Sequence, residues 1–362
     1  MILEKFLPFE AALTGRRIFI TGHTGFTGAW ATLWLDCIGA HIHGFSLQPE
    51  TNPALHNEIS AGSQIQCTNG NICNYELLFD AVNKFQPEII LHLAAQPLVR
   101  RSYREPLRTF AENVMGTAHV LEAARTIESV RAVLCITTDK VYKNNEWAWP
   151  YRENDPLGGK DPYSGSKAAA EMVIQSYSTS FPWEKSKGAA VATARGGNII
   201  GGGDWSEDRL VPDFVRAVTQ GKSLALRYPN ATRPWQHVLA LVHGYLLLLA
   251  GLISPKPEHF ARAWNLGPQD AKQYSVRQVL DLMCKHWKSP KIEYESDLVP
   301  ESTALALDST LARSLLDWTS PWDTNRAVAE TAAWYRDYYK EPRRAKELTL
   351  NQMLSWREGI LI

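Results

Sequence analysis

The sequence predicts an α/β protein, a doubly wound parallel sheet joined to a smaller C-terminal substrate-binding domain. Three observations predict it. Short apolar runs alternate with stretches of helical periodicity through the first half of the 362 residues. A glycine-rich turn joins the first apolar run to the first helical stretch, and a cluster of proton-handling residues falls where a later strand should end. Alternation at this spacing requires parallel strands with helical crossovers.

RRIFI (16–20) is apolar and leads directly into TGHTGFTG. From Ala29 to Ile38 apolar residues recur at helical spacing, and Gly39 suits a helix C-cap. HIHGFSL (41–47) reads as the second strand, residues 75–85 as a helix, EIILHLAA (88–95) as a strand, residues 107–124 as a helix and AVLCITT (132–138) as a strand. After Phe181 glycine pairs, prolines and tryptophans appear, and AVATARGGNIIG begins as a strand and ends in a turn. The first domain is expected over 14–195, with segments near 238–266 returning to it, and the second over 196–340. Residues 307–339 carry a helical, structural pattern; those from Arg343 onward receive no function.

Composition narrows the classes. Apolar residues make up 45% and charged residues 21%, as in globular proteins. Lysine plus arginine equals aspartate plus glutamate at 38 each, so nothing pulls the chain toward nucleic acid or anionic membrane. Five scattered cysteines form neither a disulfide framework nor a metal site, which fits a reducing compartment and no metal. MILEKFLPFEAALTGRR lacks a signal peptide's apolar core, and VLALVHGYLLLLAGLI is too short and interrupted for a membrane span. A cytoplasmic location is expected.

Gly22, Gly25 and Gly28 are spaced GxxGxxG between strand and helix. The first permits a tight turn, the next lets backbone approach a pyrophosphate, and the last lets helix and strand pack closely. The helix N-terminus then aims free amides at the phosphates. The turn therefore predicts a Rossmann-type dinucleotide site. An acid for the adenosine ribose belongs about 20 residues on. Phe45, Ser46, Leu47 and Gln48 stand there, with Glu50 slightly late. A 2′-phosphate would need a nearby cation, yet no arginine or lysine occurs between Arg17 and Lys84, so NAD is expected over NADP.

The second constellation is DPYSGSKAAAEM, in which Asp161 and Pro162 suit a helix start. Tyr163 and Lys167, at i and i+4, share one helical face. An adjacent ammonium favours the ionised phenol, so the Tyr163 pKa is expected to fall from about 10, making it a general base for a sugar hydroxyl. TTDKVY (137–142) closes the AVLCITT strand, and the carboxyl ends of parallel strands are where ligands bind.

TGHTGFTG, LHLAAQ, ENVMGT, TTDKVY and YSGSK together resemble the extended short-chain dehydrogenase/reductase family that acts on nucleotide sugars, from Thr14 to about Tyr339. GHTGFTGAW, ENDPLGGKDPYSGSKAAAE, ARGGNIIGGGDWSEDRLVPD and RPWQHV narrow the resemblance to its 4,6-dehydratases, with a cytidine-linked glucose as the implied substrate. The implied reaction oxidises C4, eliminates water across C5–C6 and returns hydride to C6. The resemblance places NAD on Gly22, His23, Thr24, Gly25, Phe26, Thr27, Gly28, Ser46, Leu93, Ala94, Ala95, Gln96, Thr137, Tyr163 and Lys167. It gives substrate contacts to Asn113, Asn198, Arg209, Leu210, Arg233 and His237.

In the implied chemistry Thr138 holds the C4 oxygen beside Tyr163. Asp139 protonates the leaving C6 hydroxyl, a role needing a carboxylic acid kept protonated by apolar enclosure. Related dehydratases resemble STDEVYG with a glutamate as C5 base; Lys140 stands here instead, either as the base or as a group that steadies the enolate or orients Asp139. Trp147 and Trp149 either cover the sugar or pack. For the helices near 107–124 and 163–178 the resemblance implies a homodimer through a four-helix bundle, with a homotetramer as the alternative. The implied product feeds deoxysugar synthesis for a surface polysaccharide such as lipopolysaccharide O-antigen.

Overall fold

The computed structural model describes residues 6–60, 65–181, 188–268, 273–295 and 304–361. Seven parallel strands form its central sheet: β1 (Arg17–Thr21), β2 (His41–Ser46), β3 (Gln66–Asn69), β4 (Ile89–His92), β5 (Ala132–Thr138), β6 (Ala190–Gly196) and β7 (Ala263–Leu266). Their order is β7-β6-β5-β4-β1-β2-β3. The order reverses between β1 and β4, which opens a crevice at the strands' carboxyl ends.

Both sheet faces are buried, as parallel sheets require. Ile18, Ile20, Leu91, Leu134 and Ala192 face one core with Trp30 and Trp34 of helix α1 (Phe26–Cys37). Phe19, Phe45, Ile90 and Val133 face the other core. There they meet α2 (Tyr75–Phe85), α3 (Gly116–Thr126) and Ile174 of α4 (Pro162–Ser180). Edge strand β3, QCTN, is mostly exposed and carries no apolar alternation, so its sequence gave no strand signal.

Two helices differ from expectation. α1 begins at Phe26, directly after its N-cap Gly25, with no side-chain cap. The stretch expected as one helix is broken: Pro106–Phe110, a π-helical turn Ala111–Met115, then α3. Such one-turn bulges frequently mark functional sites. α4 starts as expected, with Pro162 at its first position and a reciprocal cap between Asp161 and Ser164.

The second lobe hangs on short strand pairs, 199–200 with 236–237, 224–226 with 292–294 and 232–233 with 274–275. It also carries α5 (Leu210–Gln220). The apolar stretch near 240 is α6 (Val238–Leu252), packed on β5 and β6 with all but two of its 15 residues buried. A helix buried all round needs no amphipathic stripe. No helix among the described residues is long and apolar enough to cross a membrane.

The first and last described helices, Pro8–Leu13 and Ala345–Ile360, meet. Fully buried Glu10 accepts from Arg357 Nε (2.7 Å) and Nη2 (2.8 Å), and from Trp34 Nε1 (2.7 Å). The segment from Arg343 thus includes a structural helix, Ala345–Ile360.

Candidate active site

The glycine turn is sterically obligatory. A Cβ on Gly22, at φ +75°, would lie 2.7 Å from Ala94 N; one on Gly28 would lie 2.1 Å from the Gly22 oxygen. Thr24 Oγ1 donates to the Leu47 carbonyl at 2.9 Å and so accepts from Ser46 Oγ at 2.7 Å, tying the turn to the end of β2. Leu93, Ala94, Ala95 and Gln96 form the facing wall. Gly22, Thr24, Gly25, Phe26, Thr27, Gly28 and Ser46 line the same cavity, of about 1010 Å³. Ligand pockets run to about 300–1,000 Å³, so this cavity stands at the large end of that range. The side-chain-free cradle at the start of a 12-residue helix fits a dinucleotide's pyrophosphate.

His23 is not part of that wall. Its ring lies under the turn, edge-on to His56 at 5.0 Å and so close to Gly44 that a Cβ there would come within 2.5 Å. Burial pushes its pKa down to about 4. The arginine-free stretch around β2 is also corrected by tertiary structure: Arg101 and Arg108 arrive from beyond β4 and line the cavity with Glu50.

Thr138, Asp139, Lys140, Tyr163 and Lys167 all line the cavity, brought there by the end of β5 and the first turns of α4. Thr138 Oγ1 donates to Asp139 Oδ1 at 2.9 Å and accepts from Lys140 N at 3.3 Å. Asp139 is 2% exposed, and its Oδ2 has no hydrogen-bond partner. Burial raises its pKa, against the lowering pull of Lys140, Thr138 and Arg233. An unsatisfied buried carboxyl oxygen favours the protonated acid.

The structure reverses the Tyr163 expectation. Burial pushes the phenol up to about 12, with the Thr138 hydroxyl pulling the other way. Lys167 Nζ donates instead to the Ile136 carbonyl at 3.0 Å, and burial lowers its own pKa to about 8. Sharing a helical face was not enough: the Lys167 ammonium is turned to Ile136, and burial dominates the phenol.

Beneath these groups lies a network that sequence reasoning missed. Glu171, one turn past Lys167, accepts from Thr137 Oγ1 (2.5 Å), Arg195 Nε (3.0 Å), Arg195 Nη2 (2.8 Å) and Thr193 Oγ1 (3.2 Å). Arg195 Nη1 continues to Tyr142 Oη at 2.9 Å, whose hydroxyl donates to Asn265 Oδ1 at 2.7 Å. The signals were an arginine inside the apolar strand AVATARG and a glutamate at i+4 from Lys167. The Thr137 hydroxyl is thereby committed to Glu171.

Asn198, Arg209, Leu210 and Arg233 line the cavity from the second lobe. Arg209 Nη1 pairs with Asp204 at 3.1 Å, and Arg233 Nη1 donates to the Thr232 carbonyl at 2.9 Å. Asn113 and His237 do not line it. From the π-helical turn, Asn113 bridges Gln96 N (2.8 Å), Gln96 O (3.1 Å) and Ser166 Oγ (2.8 Å). His237 caps α6, accepting from Leu239 N at 3.3 Å, and its ring meets Trp322 at 4.9 Å. Burial takes its pKa to about 3. Both are buried joints between elements. Trp147 packs on Tyr151 and Trp149, outside the cavity wall. Among the described residues no group of three His, Cys, Asp or Glu could hold a metal ion.

A Rossmann-type sheet with a glycine cradle and a Thr-Asp-Lys/Tyr-Lys cluster in one cavity defines a dinucleotide-dependent enzyme of the dehydrogenase/reductase type. The chain belongs to the GDP-mannose 4,6 dehydratase family, whose model matches residues 19–331. It is 39% identical over 333 residues to a CDP-glucose 4,6-dehydratase of Salmonella typhimurium, covering 90% of this chain and 92% of that one. A dTDP-glucose 4,6-dehydratase of Haemophilus influenzae is 24% identical, over 88% of this chain and 97% of its own. Among solved structures, the fold is similar to a Streptomyces venezuelae dTDP-glucose 4,6-dehydratase with NAD bound, at TM-score 0.77 and 23% identity, covering 90% and 99% of the two chains.

Proposed function

We propose that this protein is an NAD-dependent dehydratase converting CDP-D-glucose to CDP-4-keto-6-deoxy-D-glucose. The observation that carries the reading is Asp139, a buried carboxyl with one free oxygen, beside Thr138 and Tyr163 in the cavity. Oxidation and reduction at C4 alone need no such proton donor; loss of the C6 hydroxyl does. The 39% identity to the Salmonella typhimurium enzyme supports the nucleotide.

NAD, when bound along the glycine turn, supplies the hydride acceptor and donor. Thr138 orients the C4 oxygen and Tyr163 receives its proton. Burial, with Asp139 and Asp161 adding to it, pushes the phenol up to about 12, and a positive charge brought beside it would favour its ionised form. Once C4 is a ketone the C5 proton is acidic. Lys140, which lines the site, either accepts it in its neutral form or steadies the enolate and orients Asp139, and Asp139 protonates the departing C6 hydroxyl. Arg209 and Arg233 would face the diphosphate, for which planar guanidinium forks are suited, with Asn198 and Leu210 beside them.

The division into 14–195, with segments near 238–266 returning to it, and 196–340 serves this chemistry by setting cofactor and sugar nucleotide on opposite walls. Leu107, Phe110 and Met115 on the helical stretch from Pro106, Met172 on α4 and Phe181 just past its end are exposed apolar residues. They support a homodimer through a four-helix bundle, with a homotetramer as the alternative. Sedimentation should give a dimer or tetramer that Leu107→Glu/Met172→Glu converts to monomer; a native monomer would refute the bundle. A cytoplasmic site suits a nucleotide-sugar substrate.

The deciding experiment incubates protein and NAD separately with CDP-glucose, UDP-glucose, GDP-mannose and dTDP-glucose. The 4-keto-6-deoxy product is followed by its absorbance in alkali. Product from CDP-glucose alone is expected. Turnover of a GDP-, dTDP- or UDP-linked sugar would keep the chemistry and overturn the nucleotide, and no turnover would leave a silent dinucleotide-binding protein.

A further inference from the structure

The cavity beyond β2 carries charges that chain order conceals. Glu50, four positions past Ser46, lies between two arginines: Arg101 Nη1 donates to its Oε2, and Arg108 Nη2 to its Oε1 at 3.3 Å. Other parts of both guanidinium groups are already engaged. Arg101 Nε meets Glu207 at 3.1 Å; Arg108 Nε meets Glu112 at 2.7 Å and its Nη1 meets Glu105 at 2.9 Å. Glu50, Arg101, Arg108 and Ser46 all line the same cavity, and Glu50 occupies Arg101 Nη1 and Arg108 Nη2.

In a Rossmann site the adenosine ribose lies at the end of the second strand, where an acid accepts its 2′-hydroxyl and an arginine accommodates a 2′-phosphate. Ser46 stands at that end, and its hydroxyl is spent on Thr24. We propose that Glu50 sets the cofactor choice of this site, holding Arg101 and Arg108 away from a 2′-phosphate while supplying the carboxylate that the strand end lacks. Two effects act in the same direction. The carboxylate repels a phosphate in its own place, and it occupies the cationic N–H donors such a phosphate would need. The glutamate side chain is 48% exposed, so it is accessible to an incoming nucleotide. A mere structural strap, with Arg101 joining Glu50 to Glu207, would instead affect both nucleotides alike.

The inference rests on the reading that the cavity binds a nicotinamide dinucleotide. Its test is calorimetric titration of the full-length protein, freed of nucleotide, with oxidised NAD and NADP. Three forms are compared: native, Glu50→Gln and the triple variant Glu50→Gln/Arg101→Gln/Arg108→Gln. Glu50→Gln is expected to shift the affinity ratio toward NADP by about tenfold or more, the scale of one charge-assisted hydrogen bond. The triple variant should return the ratio toward native. An unchanged ratio, or equal weakening of both nucleotides, overturns the inference, as does loss of cooperative melting in Glu50→Gln, which would assign Glu50 a structural role. A native protein that binds neither nucleotide takes down the cofactor reading itself.

Discussion

Asp139→Asn separates proton donation from everything else the carboxyl does. The amide is nearly isosteric and keeps an oxygen to accept from Thr138 Oγ1, the 2.9 Å bond of the native chain. Its NH₂ replaces Oδ2, which has no partner in the folded protein. A buried unsatisfied polar atom thus exists before and after, and the usual penalty of about 1–3 kcal/mol for creating one should not arise. The chemistry differs: the amide cannot deliver a proton to the C6 oxygen. General acid catalysis contributes about 10²–10⁴-fold, equivalent to about 2.7–5.4 kcal/mol of barrier at 1.36 kcal/mol per decade. Product formation from CDP-glucose should fall by that factor. C4 oxidation, read as absorbance of reduced nicotinamide in a single turnover, should persist. Retention of dehydration within about tenfold of native, below the general-acid range, would refute Asp139 as the acid. Equal loss of both steps would make it a binding group.

The same substitution carries a stability signature. Burial raises the Asp139 pKa above its ordinary 3.8, so the native state holds the proton where the unfolded chain has lost it. Native stability from this group therefore declines as pH rises from about 3.8 to the raised native value and is level beyond it. Asp139→Asn does not titrate, so its stability relative to native should increase across that window.

Two further expectations concern other sites. Arg357→Met leaves Glu10 as a buried charge without its guanidinium and should cost about 3–5 kcal/mol in chemical denaturation; a loss under about 1 kcal/mol, typical of an exposed pair, would show that the clasp between the first and last described helices contributes little. Burial holds Lys167 near pH 8, so the ammonium bonded to the Ile136 carbonyl titrates away above it. kcat/KM should fall through a limb near that pH, which Lys167→Arg should move upward, and the group's penalty on native stability should fade as pH rises past 8 because the unfolded chain keeps its proton longer; a flat profile from pH 7 to 9 would remove Lys167 from the free enzyme's chemistry.

Much of the site was legible in the sequence. The glycine turn, TTDKVY and the Tyr163–Lys167 pair announce themselves because each depends on neighbours a few residues away. Strand ends and helix starts turn such short patterns into fixed geometry. The same locality explains the misses. Edge strand β3 has no apolar alternation to read. The break at Ala111–Met115 falls inside an uninterrupted helical pattern, and its consequence is to seat Asn113 between Gln96 and Ser166.

By itself the sequence determined the order of elements, the phosphate cradle and the chemical groups at the end of β5, since these follow from backbone sterics and helical or strand periodicity. Tertiary structure alone decided which charges meet. It brought Arg101 and Arg108 to Glu50, placed Arg195 on Glu171, turned His237 and Asn113 into buried joints, and reversed the expected shift of Tyr163. Desolvation and charge coupling depend on distances through space, and residues far apart in the chain acquire those distances only when the sheet has closed over its core.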